Sequence, residues 1–272
     1  SSDLRVIALA LIIVVLARPQ STNKWQNSEI EGIDIMLAID VSTSMLAEDL
    51  KPNRLEAAKD VAAEFINGRP NDNIGITLFA GETFTQCPLT VDHAVLLDMI
   101  HNIKCGLIED GTAVGMGVAN AVTRLKDSKA KSKVVILLTD GTNNKGDISP
   151  LTAAEIAKSF GIRVYTIGVG TNGMAPYPYP VGNTVQYINM PVEIDEKTLT
   201  QIAGTTDGNY FRATSNSKLK EVYEEIDKLE KTKLNVKEYS KREEDYRWFA
   251  LAAFLCVLLE VLLRNSILKK IP

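Results

Sequence analysis

Short apolar runs recur through the middle of the chain and predict the strands of a buried sheet. Three of them have few polar breaks, at residues 33–39, 134–138 and 164–169, and residues 74–79 form a fourth. Runs of this length with few polar breaks are typical of central parallel strands that are buried on both faces. Residues 209–212 form a shorter candidate for an edge strand.

Amphipathic segments lie between these runs and predict helices. In residues 54–66 the apolar side chains recur at helical spacing along one stripe, and residues 112–125 show the same pattern. Residues 151–160, 195–203 and 217–229 follow as further helical segments. Strands that alternate with helices predict a doubly wound, Rossmann-like α/β fold with a mostly parallel central sheet flanked by helices.

The two ends of the chain are apolar over longer stretches than any run in the middle. Residues 4–17 carry one charge, at Arg5, and residues 248–263 carry one, at Glu260. A membrane-spanning helix needs about 20 apolar residues, so both runs are slightly short, although flanking residues extend the second. We predict membrane helices at both ends. A signal-peptide core is the alternative for the first run, and a buried core helix is the alternative for the second.

These predictions divide the chain into consecutive parts. The expected order is an N-terminal membrane segment shortened from a longer span (1–18), a linker (19–31), one α/β domain (32–231), a charged connector (232–247), a C-terminal membrane helix (248–264) and a tail (265–272). Basic residues flank both apolar segments on both sides, so charge alone leaves open which side of the membrane carries the domain.

Charge and motifs exclude several classes of function. A formal net charge of −4 gives no electrostatic basis for binding nucleic acid. The chain has no P-loop, no H-E-x-x-H motif and no G-x-S-x-G motif. Gly115 and Gly117 are too few for a dinucleotide-binding loop and are expected instead to let a helix pack closely on its neighbours.

Polar residues with oxygen ligands follow two of the predicted strands. Asp40, Ser42 and Ser44 come directly after the first strand, and Asp140 follows the strand at 134–138. Thr112 lies in a third loop that opens a helix. In open α/β sheets ligands bind at the carboxyl ends of the strands, so we expect these side chains to meet at one edge.

This set of oxygen atoms suits a hard divalent cation. Mg²⁺ prefers oxygen ligands and keeps several of its waters, and Mn²⁺ or Ca²⁺ are the alternatives. If the carboxylates act mostly through water, the cation is held chiefly by neutral hydroxyls and stays electrophilic. Such a cation keeps an open position that a carboxylate from another molecule fills, which is the chemistry of a recognition site.

The same residues carry a resemblance to a known family. The D-x-S-x-S sequence at residues 40–44, Thr112 and the T-D-G sequence at residues 139–141 resemble the metal-ion-dependent adhesion site of the von Willebrand factor A domain. The resemblance extends from residue 31 to about residue 231. It implies that the two serines and the threonine bind the metal directly and that the two aspartates act largely through water.

Longer stretches are similar to the aerotolerance-type membrane proteins called BatA. These stretches are MLAEDLKPNRLEAAKDVAAEFI, FAGETFTQCPLT, IEDGTAVGMGVANA and YINMPVEIDEKTLTQIA followed by YFRAT. The resemblance implies a bacterial inner-membrane protein, in contact with the lipid bilayer, whose A domain faces the periplasm. It also implies other Bat-type membrane proteins as partners and an indirect link to a MoxR-type ATPase.

Two other features have competing interpretations. Cys87 and Cys105 are 18 residues apart and could form a disulfide in an oxidising compartment, or they could be two ordinary small side chains. Four acidic residues near the metal loops are expected to be solvated loop acids rather than ligands of a second ion: Glu48, Asp49, Glu109 and Asp110.

The sequence MAPYPYP at residues 174–180 follows a predicted strand and therefore lies near the predicted metal site. Alternating Pro and Tyr make a stiff surface with apolar faces. Pro176, Tyr177 and Tyr179 are candidates for binding a partner. The alternative is an inserted loop, such as a hairpin with residues 185–188, that packs on its own domain.

Together these features predict a membrane-anchored, non-enzymatic module that uses a metal to bind an acidic residue of a partner protein. One alternative is a metal-dependent hydrolase, which the sequence disfavours because it shows no general base beside an activated water. Another is a scaffold domain whose metal serves only to stabilise the fold.

Overall fold

A computed structural model describes residues 32–182, 184–238, 250–252, 254–255, 257–258 and 261. The chain divides into two units, one formed by Glu29–Leu234 and the other by Ser1–Ser28 with Asn235–Pro272. The first unit contains the sheet and the candidate site. In the second, the described residues from 250 to 261 are helical.

The first unit is built on a six-stranded sheet in the order β3-β2-β1-β4-β5-β8. Its strands are β1 (Asp34–Asp40), β2 (Asn73–Phe79), β3 (Thr83–Thr90), β4 (Lys133–Thr139), β5 (Arg163–Val169) and β8 (Tyr210–Ala213). Every neighbouring pair is parallel except β2 and β3. The predicted mostly parallel sheet is confirmed.

Helices cover both faces of this sheet. They are α1 (Arg54–Asn67), α2 (His93–His101), α3 (Val114–Leu125), α4 (Pro150–Ser159), α5 (Glu196–Thr205) and α6 (Asn216–Glu238). The buried side chains of α1, α2 and α6 belong to one apolar cluster, and those of α3, α4 and α5 belong to a second on the other face. The doubly wound arrangement predicted from the sequence is therefore confirmed.

Strand β1 lies at the centre of the sheet and is buried along its whole length. Its side chains alternate, so that Ile35, Leu37 and Ile39 enter one cluster while Met36 and Ala38 enter the other. Burying an aliphatic side chain of this size contributes about 2 kcal/mol. An uninterrupted apolar run is thus the sequence that a two-sided strand requires.

The helix starts follow from local capping. Asn53 accepts a hydrogen bond from the backbone N–H of Glu56 and caps α1. Ser149 caps α4 in the same way, with Pro150 at the first helical position, and Asp195 caps α5. Each cap satisfies a backbone donor that has no partner inside the helix.

Gly117 of α3 confirms the prediction of close helix packing. A Cβ atom at this position would lie 2.7 Å from Cδ1 of Phe79, the last residue of β2. Only a residue without a side chain lets the helix approach the sheet this closely. The helix therefore starts against the strand ends, where the candidate site lies.

A buried charge network closes the opposite end of the sheet. Glu230 of α6 is 1% exposed and accepts hydrogen bonds from Arg163, from the Tyr165 hydroxyl at 2.5 Å and from the Ser132 hydroxyl at 2.8 Å. Burial alone would raise the pKa of Glu230, but the hydrogen bonds from Arg163 and Tyr165 outweigh burial and lower the pKa. This network ties the last helix to β4 and β5.

Two further strands, β6 (Met174–Val181) and β7 (Thr184–Pro191), form an antiparallel hairpin that is separate from the main sheet. Their register pairs Val181 with Thr184 next to the turn and Met174 with Pro191 at the base. The segment therefore forms a hairpin, and partner binding by Pro176, Tyr177 and Tyr179 stays a prediction.

The predicted terminal segments fall largely outside the described residues. This holds for the segments at 1–18 and 19–31 and for the tail, and for most of the C-terminal span and the connector. Within the described residues, none of the helices combines the length and the apolar character that crossing a membrane requires. Helix α6 extends to Glu238, past the predicted end at residue 229 and into the predicted connector.

Candidate metal centre

The candidate site lies where the strand order changes direction. Strand β1 pairs with β2 on one side and with β4 on the other. The chain leaves β1 at Asp40 and leaves β4 just before Asp140, so both aspartates lie at neighbouring carboxyl ends. This is the position at which open α/β sheets bind ligands.

Asp40 is completely buried and held at both carboxylate oxygens. Its Oδ1 accepts the backbone N–H of Ser42 at 2.9 Å, and its Oδ2 accepts the Thr139 hydroxyl at 2.6 Å. The first bond turns the chain directly after β1, and the second joins β1 to β4. The orientation of Asp40 is therefore fixed by the strands themselves.

The two serines of the turn face the same point, as their spacing predicts. The Oγ atoms of Ser42 and Ser44 lie 3.0 Å apart, and the Ser44 hydroxyl donates to Oδ1 of Asp140 at 2.7 Å. Two hydroxyls from the turn after β1 and one carboxylate oxygen from the loop after β4 thus converge.

Thr112 completes the set from the loop before α3. It is 4% exposed, and its Oγ1 would lie 3.3 Å from a Cβ atom at Gly141, directly after Asp140. Asn144 fixes the backbone of Thr112, since its Oδ1 accepts the Thr112 N–H at 2.9 Å and its N–H donates to the Thr112 carbonyl at 3.0 Å. The structure therefore brings the predicted residues to one place.

Arg54 is a member of this site that sequence reasoning missed. Its Nη1 donates to Oδ2 of Asp140 at 2.7 Å, while Nε and Nη2 form a two-pronged pair with Asp49, also at 2.7 Å. A Cβ atom at Gly170 would lie 2.9 Å from Nη2 of Arg54, so only glycine leaves room for the guanidinium there. A cation in the first turn of a helix opposes the helix dipole, and this local conflict is the signal that could have identified Arg54.

The site carries more buried negative than positive charge. Burial, followed by the charge of Asp140, raises the pKa of Asp40 to about 7. Burial also raises the pKa of Asp140, although Arg54 and the Ser44 hydroxyl partly offset it. One guanidinium thus faces Asp49 and Asp140, and Asp40 has no cationic partner among the hydrogen bonds that hold it. A divalent cation beside these carboxylates would relieve the imbalance.

The donor set fits a hard cation. Within the described residues, no cluster of three His, Cys, Asp or Glu side chains is arranged to hold a metal. Ser42, Ser44 and Thr112 would supply neutral hydroxyl oxygens, and Asp40 and Asp140 the negative charge. Such oxygen donors favour Mg²⁺ or Mn²⁺ over metals that prefer sulfur or imidazole.

The prediction of solvated acids near the site is wrong for Asp49, whereas Asp110 is exposed as predicted and also contacts a neighbouring loop. Asp110 accepts from the Thr43 N–H at 3.0 Å and from its hydroxyl at 2.8 Å, which ties the loop before Thr112 to the turn after β1. The side chain of Asp49 is 2% exposed because it faces Arg54. Such contacts between distant loops leave no trace in local sequence. Glu109 is largely exposed and pairs with Lys145.

Both cysteines are free thiols in the structure, so the disulfide alternative is not supported. Cys87 is buried in β3. Cys105 is half-buried behind the loop at residues 40–44, with its Sγ 3.4 Å from the carbonyl oxygen of Ser42. Burial, followed by the charges of Asp40 and Asp140, raises the pKa of Cys105 to about 12, so this thiol stays protonated.

A cleft of about 250 Å³ separates the loop at residues 40–44, here called the metal loop, from the β6–β7 hairpin. Thr43, Ser44 and Arg54 line one side, and Tyr177 and Tyr179 of β6 line the other. Pro176 contacts its own domain, because its carbonyl accepts the N–H of Glu48 at 2.8 Å. The two tyrosines therefore lie beside the site, while Pro176 helps to place them there.

This chain is similar to a known family and to proteins of several bacteria. A model of the von Willebrand factor type A domain matches residues 34–225. An uncharacterized protein of Borreliella burgdorferi is 26% identical over 267 residues, covering 97% of this chain and 78% of that protein. A UPF0353 protein of Mycolicibacterium paratuberculosis is 30% identical over 234 residues, covering 81% of this chain. The chain spans 66% of the length of this second relative.

Solved structures show the same similarity. BatB of Bacteroides thetaiotaomicron is 33% identical with a TM-score of 0.65, over 74% of this chain and all of that one. An aerotolerance-related membrane protein of Bacteroides fragilis is 33% identical with a TM-score of 0.63, over 72% of this chain and all of that one. Proximal thread matrix protein 1 of the mussel byssus, with zinc in its MIDAS motif, is 25% identical with a TM-score of 0.57, over 73% of this chain and 45% of that one.

Proposed function

This chain belongs to the von Willebrand factor type A domain family, within which it is aerotolerance-like, and from that membership we propose that it is a metal-dependent protein-binding module. The observation that carries the proposal is the convergence of Ser42, Ser44 and Thr112 on two buried aspartates that one guanidinium does not balance. Mg²⁺ is the proposed cation, and an acidic side chain of another protein is the proposed outside ligand.

Binding is favoured over hydrolysis by the state of the carboxylates. Asp40, Asp49, Asp110 and Asp140 all accept hydrogen bonds from neighbouring loops or from Arg54. A general base must reach the proton that it removes, and these four are already engaged. The metal would supply an electrophilic point of attachment, and the surrounding residues would orient the incoming carboxylate.

Placement in a membrane is part of the proposal. One similar structure is described as an aerotolerance-related membrane protein, and the apolar runs at both ends of this chain agree with anchoring. We propose a bacterial inner-membrane protein whose A domain faces the periplasm, with other Bat-type membrane proteins as partners. An indirect link to a MoxR-type ATPase belongs to the same proposal.

The test uses the full chain with Asp40→Ala. We expect this variant to lose Mg²⁺ binding in calorimetric titration because the turn after β1 loses its charge and its anchor. We also expect it to lose those partners that the wild-type chain captures from membranes in Mg²⁺ and releases in EDTA. The matched control is Asp60→Ala, which removes an exposed carboxylate from α1 and should leave both properties unchanged.

Three results would redirect the proposal. If Asp40→Ala retains every wild-type partner, the metal does not bridge to the partner. Metal-dependent turnover of a phosphoester or peptide would favour the hydrolase alternative. Loss of the circular-dichroism spectrum of the folded chain on removing Mg²⁺ would favour the scaffold alternative.

A further inference from the structure

The two edges of the β6–β7 hairpin differ in backbone chemistry. Pro176, Pro178 and Pro180 occupy alternate positions of β6. Proline has no N–H, and alternate residues of a strand direct their backbone groups to the same edge. One edge of β6 has therefore lost its donors at three successive positions.

The hydrogen bonds at the base of the hairpin identify that edge. Val192 donates its N–H to the Gly173 carbonyl at 2.8 Å, so the odd-numbered residues of β6 turn inward, towards β7. The Pro176 carbonyl instead accepts from Glu48, which lies outside the hairpin. The prolines thus occupy the outer edge of β6. This edge packs on the segment that contains Glu48, which follows the turn at residues 40–44. That edge cannot accept another strand.

Among the residues that the structure describes, β6 is the only strand that pairs with β7, so the outer edge of β7 is open. Its residues opposite the prolines are Val185, Tyr187 and Asn189. In an antiparallel pair, residues opposite an outward-facing position also face outward, so each of these three directs an N–H and a C=O away from β6. Every residue of β7 is exposed.

Exposed apolar side chains accompany this open edge. Val185 is 58% exposed, Tyr187 61%, Ile188 45% and Met190 48%. Proteins usually protect an apolar edge strand, and here proline occupies three outward positions of β6 but only the last outward position of β7, at Pro191. A two-stranded hairpin is also only marginally stable, so a third strand would stabilise it.

We propose that the outer edge of β7 binds an extended strand of a partner protein and leads an acidic residue of that strand to the metal. The edge is continuous with the site, because Met190 and Pro191 at the end of β7 line the same cleft as Thr43 and Ser44. Arg54 also lines this cleft but is already paired with Asp49 and Asp140, so the proposed cation would supply the positive charge that is complementary to a carboxylate. The part of this inference that concerns the acidic residue rests on the proposed function. The part that concerns strand pairing rests on the outer edge of β7.

The critical variant is Asn189→Pro, with Asn189→Ala as its matched control. Both remove the side chain, but only proline removes the outward N–H. The hairpin already contains four prolines at outward positions, Pro191 of β7 included, so a fifth is compatible with its conformation. Val185→Pro and Val185→Ala form a second pair near the turn. All four should keep the wild-type Mg²⁺ affinity and thermal unfolding, because Val185 and Asn189 lie outside the main sheet and the metal loops.

The probe is a library of displayed linear peptides that contain one Asp, selected on the full chain in Mg²⁺. We expect the selected peptides to lose about tenfold in affinity with Asn189→Pro, which corresponds to about 1.4 kcal/mol for one hydrogen bond and its neighbours. We expect a much smaller change with Asn189→Ala. Asp40→Ala should weaken the same peptides independently.

Each outcome decides one of the two proposals. Peptides that need Mg²⁺ and Asp40 but bind Asn189→Pro and Asn189→Ala equally would overturn the strand edge and leave the metal function standing. Peptides whose binding is blocked by Asn189→Pro but unchanged by Asp40→Ala would support the strand edge and overturn the metal function. Failure to select any peptide that depends on β7 would overturn the edge. A wild-type dimer in sedimentation velocity that Asn189→Pro dissociates would replace the partner with a second copy of the chain.

Discussion

Two groups of buried charges lie at opposite ends of the same sheet, and they differ in whether their charges balance. At the amino ends of β4 and β5, Glu230 faces Arg163 and two hydroxyls, and its pKa is lowered. At the carboxyl ends of β1 and β4, burial raises the pKa values of Asp40 and Asp140. The first group is complete within the protein.

The difference indicates what each group is for. A buried ion pair with all its hydrogen bonds made holds two elements together, and nothing further is needed to stabilise it. A buried cluster with excess carboxylate is stabilised when a proton or a metal cation neutralises part of its charge. Balanced charge therefore marks the structural end of the sheet, and unbalanced charge marks the end at which we propose that a cation binds.

The largest effect is expected from Arg54→Met. Removing the guanidinium leaves Asp49 and Asp140 buried without a cation, which should cost about 4 kcal/mol of unfolding free energy in EDTA. Mg²⁺ at about a hundred times its dissociation constant adds about 2.7 kcal/mol to the free energy of unfolding. This Mg²⁺-dependent gain should be larger in the variant than in the wild type. Urea unfolding with and without Mg²⁺ measures the loss in EDTA and the gain in Mg²⁺. Equal gains would mean that Arg54 and the metal do not share Asp140.

A smaller effect is expected from Arg163→Met at the other end. This substitution leaves Glu230 buried without its cationic partner and should cost about 3 kcal/mol of unfolding free energy in the same assay. Because this network is remote from the metal, the Mg²⁺-dependent gain should equal that of the wild type. Lys220→Met, which breaks the exposed pair with Glu64, serves as the control with little change. A Mg²⁺ gain in Arg163→Met above that of the wild type would break the comparison.

The smallest effect concerns pH. Glu230→Gln weakens charged hydrogen bonds and should cost about 2 kcal/mol at neutral pH. Because the folded pKa of Glu230 lies below its ordinary value, its contribution is complete above the unfolded pKa and is lost as pH falls through the folded pKa. The stability gap between wild type and variant should therefore narrow in acid. A gap that stays constant down to about pH 3 would show that Glu230 is not ionised at neutral pH.

Much of the fold was predictable because its strands are buried on both faces. The central strands β1, β4 and β5 appear in the sequence as apolar runs, and their alternation with helices determines the layers. The edge strand β3 was missed because its residues are mostly polar or half-exposed, contain Pro88 and bury only Cys87. An edge strand is specified by its neighbour, which a local pattern does not show.

The site was predictable where its residues are close in sequence or share a motif, as for Asp40, Ser42 and Ser44. Arg54 and the contact of Asp110 with Thr43 were not predicted because they depend on loops that meet only in the fold. Arg54 reaches Asp140 across 86 positions of sequence, and Asp110 reaches Thr43 across 67. Hydrophobic periodicity explains why α1 exists but not what the polar residue at its start contacts.

The position of Glu230 has a mechanical consequence. Helix α6 carries the chain out of the first unit, whose boundary falls at Leu234, shortly after the buried carboxylate. Tension applied through the C-terminal segment would therefore reach Glu230 before it reached residues 216–229 of the helix. Arg163, Tyr165 and Ser132 hold that carboxylate from the strands, so the sheet would resist the pull at the end farthest from the cation.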